Sequence, residues 1–257
     1  MTADRTALRR KTRHISVVLE RFLGIPRRNR DGSDPLDMLV ATILSQNTND
    51  KNSHNAYTLL RQRYPLWETV ARAPLRNIIR AIRSGGMANQ KARTIKNVLK
   101  TVGSRYGTYD LASLKGKTNG EIIAELTSLK GVGVKTAACV LLFSMNRDVF
   151  PVDTHVHRIC VRLGLAPDCK TPEQTFRAMQ GFVPPGKSHA LHTNMIRFGR
   201  KICRANRPSC DLCPLYDRCL YPLKARIDRR RSKSIANHDF MLLDNVRPRQ
   251  PHPRPIA

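Results

Sequence analysis

The sequence is poor in acidic residues and in aromatic residues, and it contains no long hydrophobic run. Asp and Glu number 19 against 46 Lys and Arg, so the formal net charge is +27, and aromatic residues make up only 5% of the chain. The longest unbroken apolar run, residues 137–143, is far shorter than the ~20 residues that span a bilayer. These deficits exclude a transmembrane helix and a membrane partner, and they favour a polyanionic partner such as nucleic acid.

The positive charge is spread along the chain. Residues 1–30 carry nine basic and two acidic residues, residues 224–257 carry nine and three, and residues 31–223 keep a net charge of +14. Positive charge within the part of the chain that is expected to fold indicates a binding surface better than charge at the two ends would. Charge alone does not distinguish a nucleic-acid-binding surface from a basic surface that only keeps the protein soluble. Residues 226–257 are rich in Pro and Arg and predict a flexible basic tail.

Apolar residues recur at helical spacing over most of the chain, and strand patterning is almost absent. Only Val149–Val152 is strand-like, and it is too short to found a sheet. The N-terminal stretch predicts a surface helix and not a secretory signal, which implies a cytoplasmic protein with reduced thiols. The fold class is therefore all-α, with further helices predicted near 35–46, 51–62, 74–83, 90–103, 121–129, 134–145, 154–163, 171–179 and 187–202.

Four of the seven cysteines lie close together near the C-terminus, with the spacing C-x6-C-x2-C-x5-C. In a reducing compartment this pattern indicates a metal site and not two disulfides. Structural zinc usually takes two close pairs of ligands, whereas one pair flanked by single cysteines suits a compact cluster, so iron–sulfur is favoured over zinc. The predicted ligands are Cys203, Cys210, Cys213 and Cys219.

A glycine turn joins two predicted helices in the middle of the chain. Thr118 and Glu121 form a candidate capping box for the first helix, and the second begins directly after Gly131-Val132-Gly133 with Val134 and Lys135. Backbone N–H groups at such a helix start bind anions without side-chain charge. The turn, Gly131 to Val134, is therefore a candidate site for a DNA phosphate.

Asp153 stands before the next amphipathic helix and is its predicted N-cap. Taken singly, Asp153 is best explained as a cap and Lys135 as a solvated helix lysine. Three motifs follow one another in the chain: LKGVGVKTA, PVDTHVHRI and the cysteine spacing. Together they favour a functional role for both residues.

Over residues 30–222 the three motifs resemble, in order and spacing, the endonuclease III family of helix-hairpin-helix DNA glycosylases. The resemblance implies an all-α fold of two lobes. The first is a six-helix barrel with the helix-hairpin-helix motif over residues 27–147. The second is a domain over residues 1–26 and 148–225 that holds a [4Fe-4S] cluster, and residues 226–257 form the tail.

The same resemblance implies a bifunctional DNA glycosylase and AP lyase of base excision repair. Its substrate would be double-stranded DNA with damaged bases, oxidised pyrimidines above all, or abasic sites, bound by a monomer. Lys135 would be the nucleophile that holds the sugar as a Schiff base, and the Asp153 carboxylate would stabilise the positive charge of the sugar. The target base must first be flipped out of the duplex.

Two loops are also expected to contact DNA. The family fills the space of the flipped base with a glutamine in S-x-Q-x-x-D, whereas this chain has Asn47 at that position and Gln46 one residue earlier. Met87 stands where the family has an apolar wedge, and ordinary loop packing explains it equally well. His155 also matches the family, with a surface histidine as the alternative.

Two other functions compete with this interpretation. A monofunctional mismatch glycosylase would keep the fold, but those relatives lack a lysine at the hairpin position, which Lys135 occupies here. A non-catalytic DNA-binding module would use the hairpin for phosphate and the cluster as a brace, and both Lys135 and Asp153 would then be present by coincidence.

Overall fold

A computed structural model describes residues 2–29 and 32–226, and within them every regular element is a helix. The all-α prediction is confirmed, and the strand-like Val149–Val152 lies in a segment without regular secondary structure. Of the predicted tail, residues 227–257 lie outside the described part of the chain. No helix among the described residues is long and apolar enough to cross a membrane.

The described residues form eleven α-helices, and short 3-10 turns follow several of them. Each predicted helix is present, with ends that shift by a few residues. The α-helices are α1 Thr2–Leu23, α2 Pro35–Ser45, α3 Asp50–Arg63, α4 Trp67–Arg72, α5 Leu75–Ala81, α6 Ala88–Tyr106, α7 Asn119–Thr127, α8 Val134–Phe143, α9 Thr154–Arg162, α10 Pro172–Ala178 and α11 Ser188–Lys201. The 3-10 helices are Arg83–Gly85, Ala112–Gly116, Cys210–Leu212, Tyr216–Arg218 and Pro222–Arg226.

Helix α4 was not predicted from the sequence. It has only six residues, and its N-cap, Leu66, offers no side chain that can accept a hydrogen bond. Tertiary packing stabilises it, because Trp67 is 1% exposed and its indole Nε1 donates to Asp37 at 2.5 Å. A single turn without a cap or a full apolar period carries no recognisable sequence signal.

The chain divides into two compact units, which are described separately. The first, the hairpin unit, contains residues 28–147, and the second, the cysteine unit, contains residues 2–27 and 148–226.

Helix α2 is the centre of the hairpin unit. Its first ten residues are buried, and it packs against α3, α6 and α8. Asp34 caps it as predicted, accepting from the N–H groups of Leu36 at 2.9 Å and Asp37 at 3.0 Å, with Pro35 in the first turn. A hydrophobic helix of this kind is stable only when other helices surround it, because its burial supplies most of its stability.

Helix α11 is the centre of the cysteine unit, and α1 and α9 pack on it. The inner face of α1 presents Ile15 and Leu19, both fully buried, while its other faces carry most of its arginines. Lys187, just before α11, pairs with Glu20 of α1 at 3.0 Å. The N-terminal segment is thus a packed helix, as predicted.

Candidate active site and cysteine cluster

The predicted hairpin is present between α7 and α8. The capping box of Thr118 and Glu121 opens α7 as expected. Gly131 has a φ of +90°, and a Cβ at this position would lie 2.7 Å from the Thr94 methyl carbon of α6. Gly131 is therefore required both by backbone conformation and by packing.

Gly133 is required by neither. It is the N-cap of α8 with a φ of −94°, and a Cβ added to it would meet nothing within 4 Å. Because glycine has no side chain, no side-chain acceptor caps the first N–H groups of α8. An exposed glycine that neither its φ nor its neighbours require fits a surface that another molecule approaches closely.

Lys135 is the second residue of α8 and is half-buried. The next residue, Thr136, is 3% exposed, and its Oγ1 accepts a hydrogen bond from Gln46 Nε2 at 3.3 Å. The loop after α2 is thereby joined to the turn of α8 that carries Lys135.

Asn47 and Met87, predicted to contact DNA, lie together. Asn47 Nδ2 is 3.6 Å from Met87 Sδ, and both residues adopt left-handed backbone conformations, with φ of 50° and 49°. Both are exposed, Met87 to 48%. Backbone conformations of this kind are frequent in functional loops, and the wedge role of Met87 stays a prediction.

Asp153 caps α9 as predicted, since its Oδ1 accepts from the Val156 N–H at 2.8 Å. The side chain is half-buried. Cap geometry fixes the position of the carboxylate within the first turn of α9. Lys135 and Asp153 lie in different compact units.

His155 follows Asp153 in the first turn of α9, and burial lowers its pKa. Its Nδ1 lies 3.2 Å from Nη2 of Arg158, which also donates to the carbonyl oxygens of Gly199 at 3.0 Å and Cys203 at 2.8 Å. A Cβ on Gly199 would lie 2.9 Å from that of His155, so a glycine is needed for α11 to approach α9 this closely. The helix that Asp153 caps is thereby anchored to the first cysteine of the cluster.

The segment that leads to Asp153 is held by two residues that the sequence analysis did not identify. Asp148 accepts from the N–H groups of Gly186 at 2.6 Å and Ser188 at 3.3 Å, at the start of α11. His192, fully buried in α11, lies with Nδ1 2.9 Å from the Pro151 carbonyl oxygen. Neither residue belongs to a motif, and a histidine on an apolar helix face has no recognisable sequence signal.

The four predicted cysteine ligands are brought together. They line one open hollow of about 250 Å³, solvent space included, together with Arg162 and Tyr221. Arg162 Nη1 lies 3.4 Å from Cys203 Sγ, and the Tyr221 N–H donates to Cys219 Sγ at 3.4 Å. The other cysteines are separate, and Cys139 and Cys160 are fully buried, as expected for core residues.

Four cysteine thiols around one hollow are the donor type that a [4Fe-4S] cluster uses. Among the described residues, no group of three or more His, Cys, Asp or Glu side chains is placed to hold a metal ion. Hydrogen bonds donated to the sulfurs, as from Arg162 and Tyr221, are a common feature of such sites. Burial raises the pKa of the Cys213 thiol to about 12.

Comparison with known proteins gives concordant matches. Residues 40–185 match the profile of the HhH-GPD superfamily of base excision DNA repair proteins. An endonuclease III of Thermotoga maritima is 35% identical over 192 residues, which cover 75% of this chain and 85% of that protein. An Arabidopsis thaliana protein whose name describes it as a DNA glycosylase is 37% identical over 70% of this chain, which spans 64% of its length. An endonuclease III trapped as a covalent intermediate with DNA has a TM-score of 0.70 at 25% identity, covering 85% of this chain and 97% of that one.

Proposed function

The chain belongs to the HhH-GPD superfamily of base excision DNA repair proteins and is endonuclease III-like, and from this premise we propose that it is a bifunctional DNA glycosylase and AP lyase. Its substrate is double-stranded DNA that carries a damaged base, oxidised pyrimidines above all, or an abasic site. The observation that carries the proposal is a lysine in the first turn of α8, directly after the Gly131-Val132-Gly133 turn.

Binding begins with charge and with the hairpin. The net charge of +14 over residues 31–223 attracts the duplex, and the N–H groups at the start of α8 donate to a phosphate close to the backbone. The damaged nucleotide is flipped out, and Asn47 and Met87 occupy the space that it leaves in the stack. The contact between these two side chains supports their acting together, and Asn47, not Gln46, is the residue that faces outward.

Lys135 then performs the covalent step. Its neutral amine attacks C1′ of the nucleotide, and the C1′–N bond to the base breaks with its electron pair leaving on the base. Opening of the sugar ring gives the Schiff base. Removal of a proton from C2′ expels the 3′ phosphate by β-elimination, and water releases Lys135. The Asp153 carboxylate stabilises the positive charge that develops on the sugar as the base departs.

We also propose that Cys203, Cys210, Cys213 and Cys219 hold a [4Fe-4S] cluster. When bound, the cluster cross-links the chain after α11, where the described residues form only short 3-10 turns. The proposed reaction involves no step at the cluster. We propose that the enzyme acts as a monomer in the cytoplasm on chromosomal DNA.

Borohydride trapping on a duplex with one abasic site tests the proposed activity. Wild type is expected to form a covalent protein–DNA adduct and to cleave the strand 3′ to the site. Lys135→Ala abolishes both while DNA binding persists, because the nucleophile is lost and the phosphate site remains. Lys130→Ala, which removes an exposed lysine from the same hairpin, is the matched control and retains trapping.

Three outcomes contradict the proposal in different ways. Undiminished trapping by Lys135→Ala overturns the assignment of the nucleophile. Release of a damaged base without trapping by wild type indicates a monofunctional glycosylase. Tight binding with neither reaction, over a panel of oxidised pyrimidines, mismatches and abasic sites, indicates a non-catalytic module.

A further inference from the structure

Lys91 is a buried lysine that the proposed reaction does not use. It lies in the first turn of α6 and is 3% exposed. Its Nζ donates to two backbone carbonyl oxygens, those of Leu44 and Gly85, both at 2.8 Å. Among the described residues no carboxylate forms an ion pair with it, and burial lowers its pKa to about 8. A lysine is rarely buried in this way unless its position has a specific use.

The two acceptors lie at the bases of the two loops proposed to enter DNA. Leu44 is in the last turn of α2, three residues before Asn47. Gly85 ends the 3-10 helix Arg83–Gly85, two residues before Met87. The two loops are 40 residues apart in the chain, and the Lys91 ammonium is bonded to both.

The loop tips require such a support. Asn47 and Met87 both adopt left-handed backbone conformations, which Asn tolerates but which Met maintains only where the surroundings fix it. The contact between their side chains, which joins an amide and a thioether, is weak. Hydrogen bonds from a charged donor in a buried site are stronger and more directional.

We propose that Lys91 is a positioning residue that fixes the Asn47 loop and the Met87 loop relative to each other, so that both side chains enter the DNA stack in one step. The inference rests on the proposed glycosylase activity. Its chemical basis is that an ammonium offers three donors and no acceptor, so one side chain can bind two carbonyl groups at once.

The test compares Lys91→Met with Lys96→Met. Methionine keeps the length and the apolar stem of lysine but removes its donors. Lys96 is the matched control because it lies on the same helix and also donates to one backbone carbonyl, that of Ala73 at 2.5 Å, which ends α4 and belongs to neither loop.

Two readouts separate positioning from folding. The first is the fluorescence of 2-aminopurine placed opposite an abasic site, which rises when the neighbouring stack is opened. The second is the ratio of strand cleavage on duplex DNA to cleavage on a single-stranded abasic oligonucleotide, where no stack has to be opened.

Lys91→Met is expected to lose the fluorescence rise and to cleave duplex DNA roughly tenfold or more slowly, since misplacement by about 1 Å costs up to ~10²-fold. Its cleavage of single-stranded DNA stays within about twofold of wild type, because Lys135 is untouched. Lys96→Met keeps both readouts. In the background Asn47→Ala with Met87→Ala, Lys91→Met produces no further loss, because it acts through those side chains.

The inference is overturned if Lys91→Met shows the wild-type fluorescence rise and the wild-type rate of cleavage on duplex DNA. It is also overturned if Lys91→Met loses cleavage rate by the same factor on duplex and on single-stranded DNA. Should Lys91→Met not fold, Lys91→Arg replaces it. Arginine keeps the charge and the donors at a different reach, so a reduced fluorescence rise with normal single-strand cleavage supports the inference and an unchanged rise overturns it. Failure of the proposed function is distinct, because wild type would then cleave neither substrate.

Discussion

The starts of α8 and α9 differ in how their first-turn N–H groups are satisfied. Helix α8, in the hairpin unit, begins at Gly133, which has no side chain to offer. Helix α9, in the cysteine unit, begins at Asp153, whose carboxylate accepts from Val156 at 2.8 Å. The positive end of a helix dipole favours an anion in both places. The start of α8 is therefore open to an anion from another molecule, whereas Asp153 supplies the anion at the start of α9.

This difference assigns the two units different tasks in the proposed reaction. An uncapped helix start suits a DNA phosphate, and Lys135 is carried in the same turn of the chain. A capped helix start holds a carboxylate in one orientation, as stabilisation of a transient positive charge requires. Substitutions of Asp153 at the start of α9, of Gly133 at the start of α8 and of the four cysteines test this difference.

The largest expected effect follows substitution of Asp153. Asparagine is as good an N-cap as aspartate but carries no charge, so Asp153→Asn keeps α9 and removes the electrostatic role. The single-turnover rate of base release is expected to fall ~10²–10³-fold, while the free energy of unfolding in urea changes little. Thr171→Ala, which removes the cap of α10 in the same unit, is the opposite control: it lowers stability by about 0.5–2 kcal/mol and keeps the rate. If Asp153→Asn releases the base at the wild-type rate, Asp153 serves only as the N-cap of α9.

A smaller effect is expected at the open helix start. Gly133→Val introduces a side chain into empty space at an ordinary φ, so the protein is expected to fold with a slightly lower melting temperature, because valine is a poorer N-cap than glycine. Affinity for abasic duplex, measured by fluorescence anisotropy, falls about tenfold, or ~1.4 kcal/mol, because the phosphate can no longer approach the backbone. The salt dependence barely changes, since no cation is removed.

Two glycine variants control for the substitution at Gly133. Gly116→Val also places its side chain in open space of the same unit and keeps full affinity. Gly131→Ala loses stability as well as affinity, because it places a Cβ against Thr94 at a φ of +90°. Normal binding by Gly133→Val would show that the hairpin does not seat a phosphate.

The smallest effect on the chemistry is expected from the cysteines. The purified protein should be yellow-brown, absorb broadly at about 400 nm and contain iron, as sulfur-ligated iron clusters do. Cys213→Ser lowers the iron content and the soluble yield, whereas the rate per folded molecule changes little, because no proposed step uses the cluster. Cys169→Ser, outside the four, keeps iron and yield. Colourless, zinc-loaded and fully active wild-type protein would overturn the cluster assignment.

The local features of the fold were predictable because each depends on residues close in the chain. The caps at Asp34, Thr118 and Asp153 are decided within one helical turn, and all three are present. The apolar period of α2 predicted a buried helix for the same reason. Helix α4 was missed because the contact that stabilises it, between Trp67 and Asp37, spans 30 residues.

The sequence by itself determined the helical class, the hairpin and the grouping of the four cysteines, since periodicity, capping and spacing are properties of short segments. Only the tertiary structure decided that Asn47 meets Met87, that His192 holds the chain before Asp153, and that Lys91 joins two loops. The Asn47–Met87, His192–Pro151 and Lys91–Leu44 contacts each join residues 40 or more positions apart. Such pairings depend on how the helices pack. Packing involves side chains throughout the core, so no single motif in the sequence predicts it.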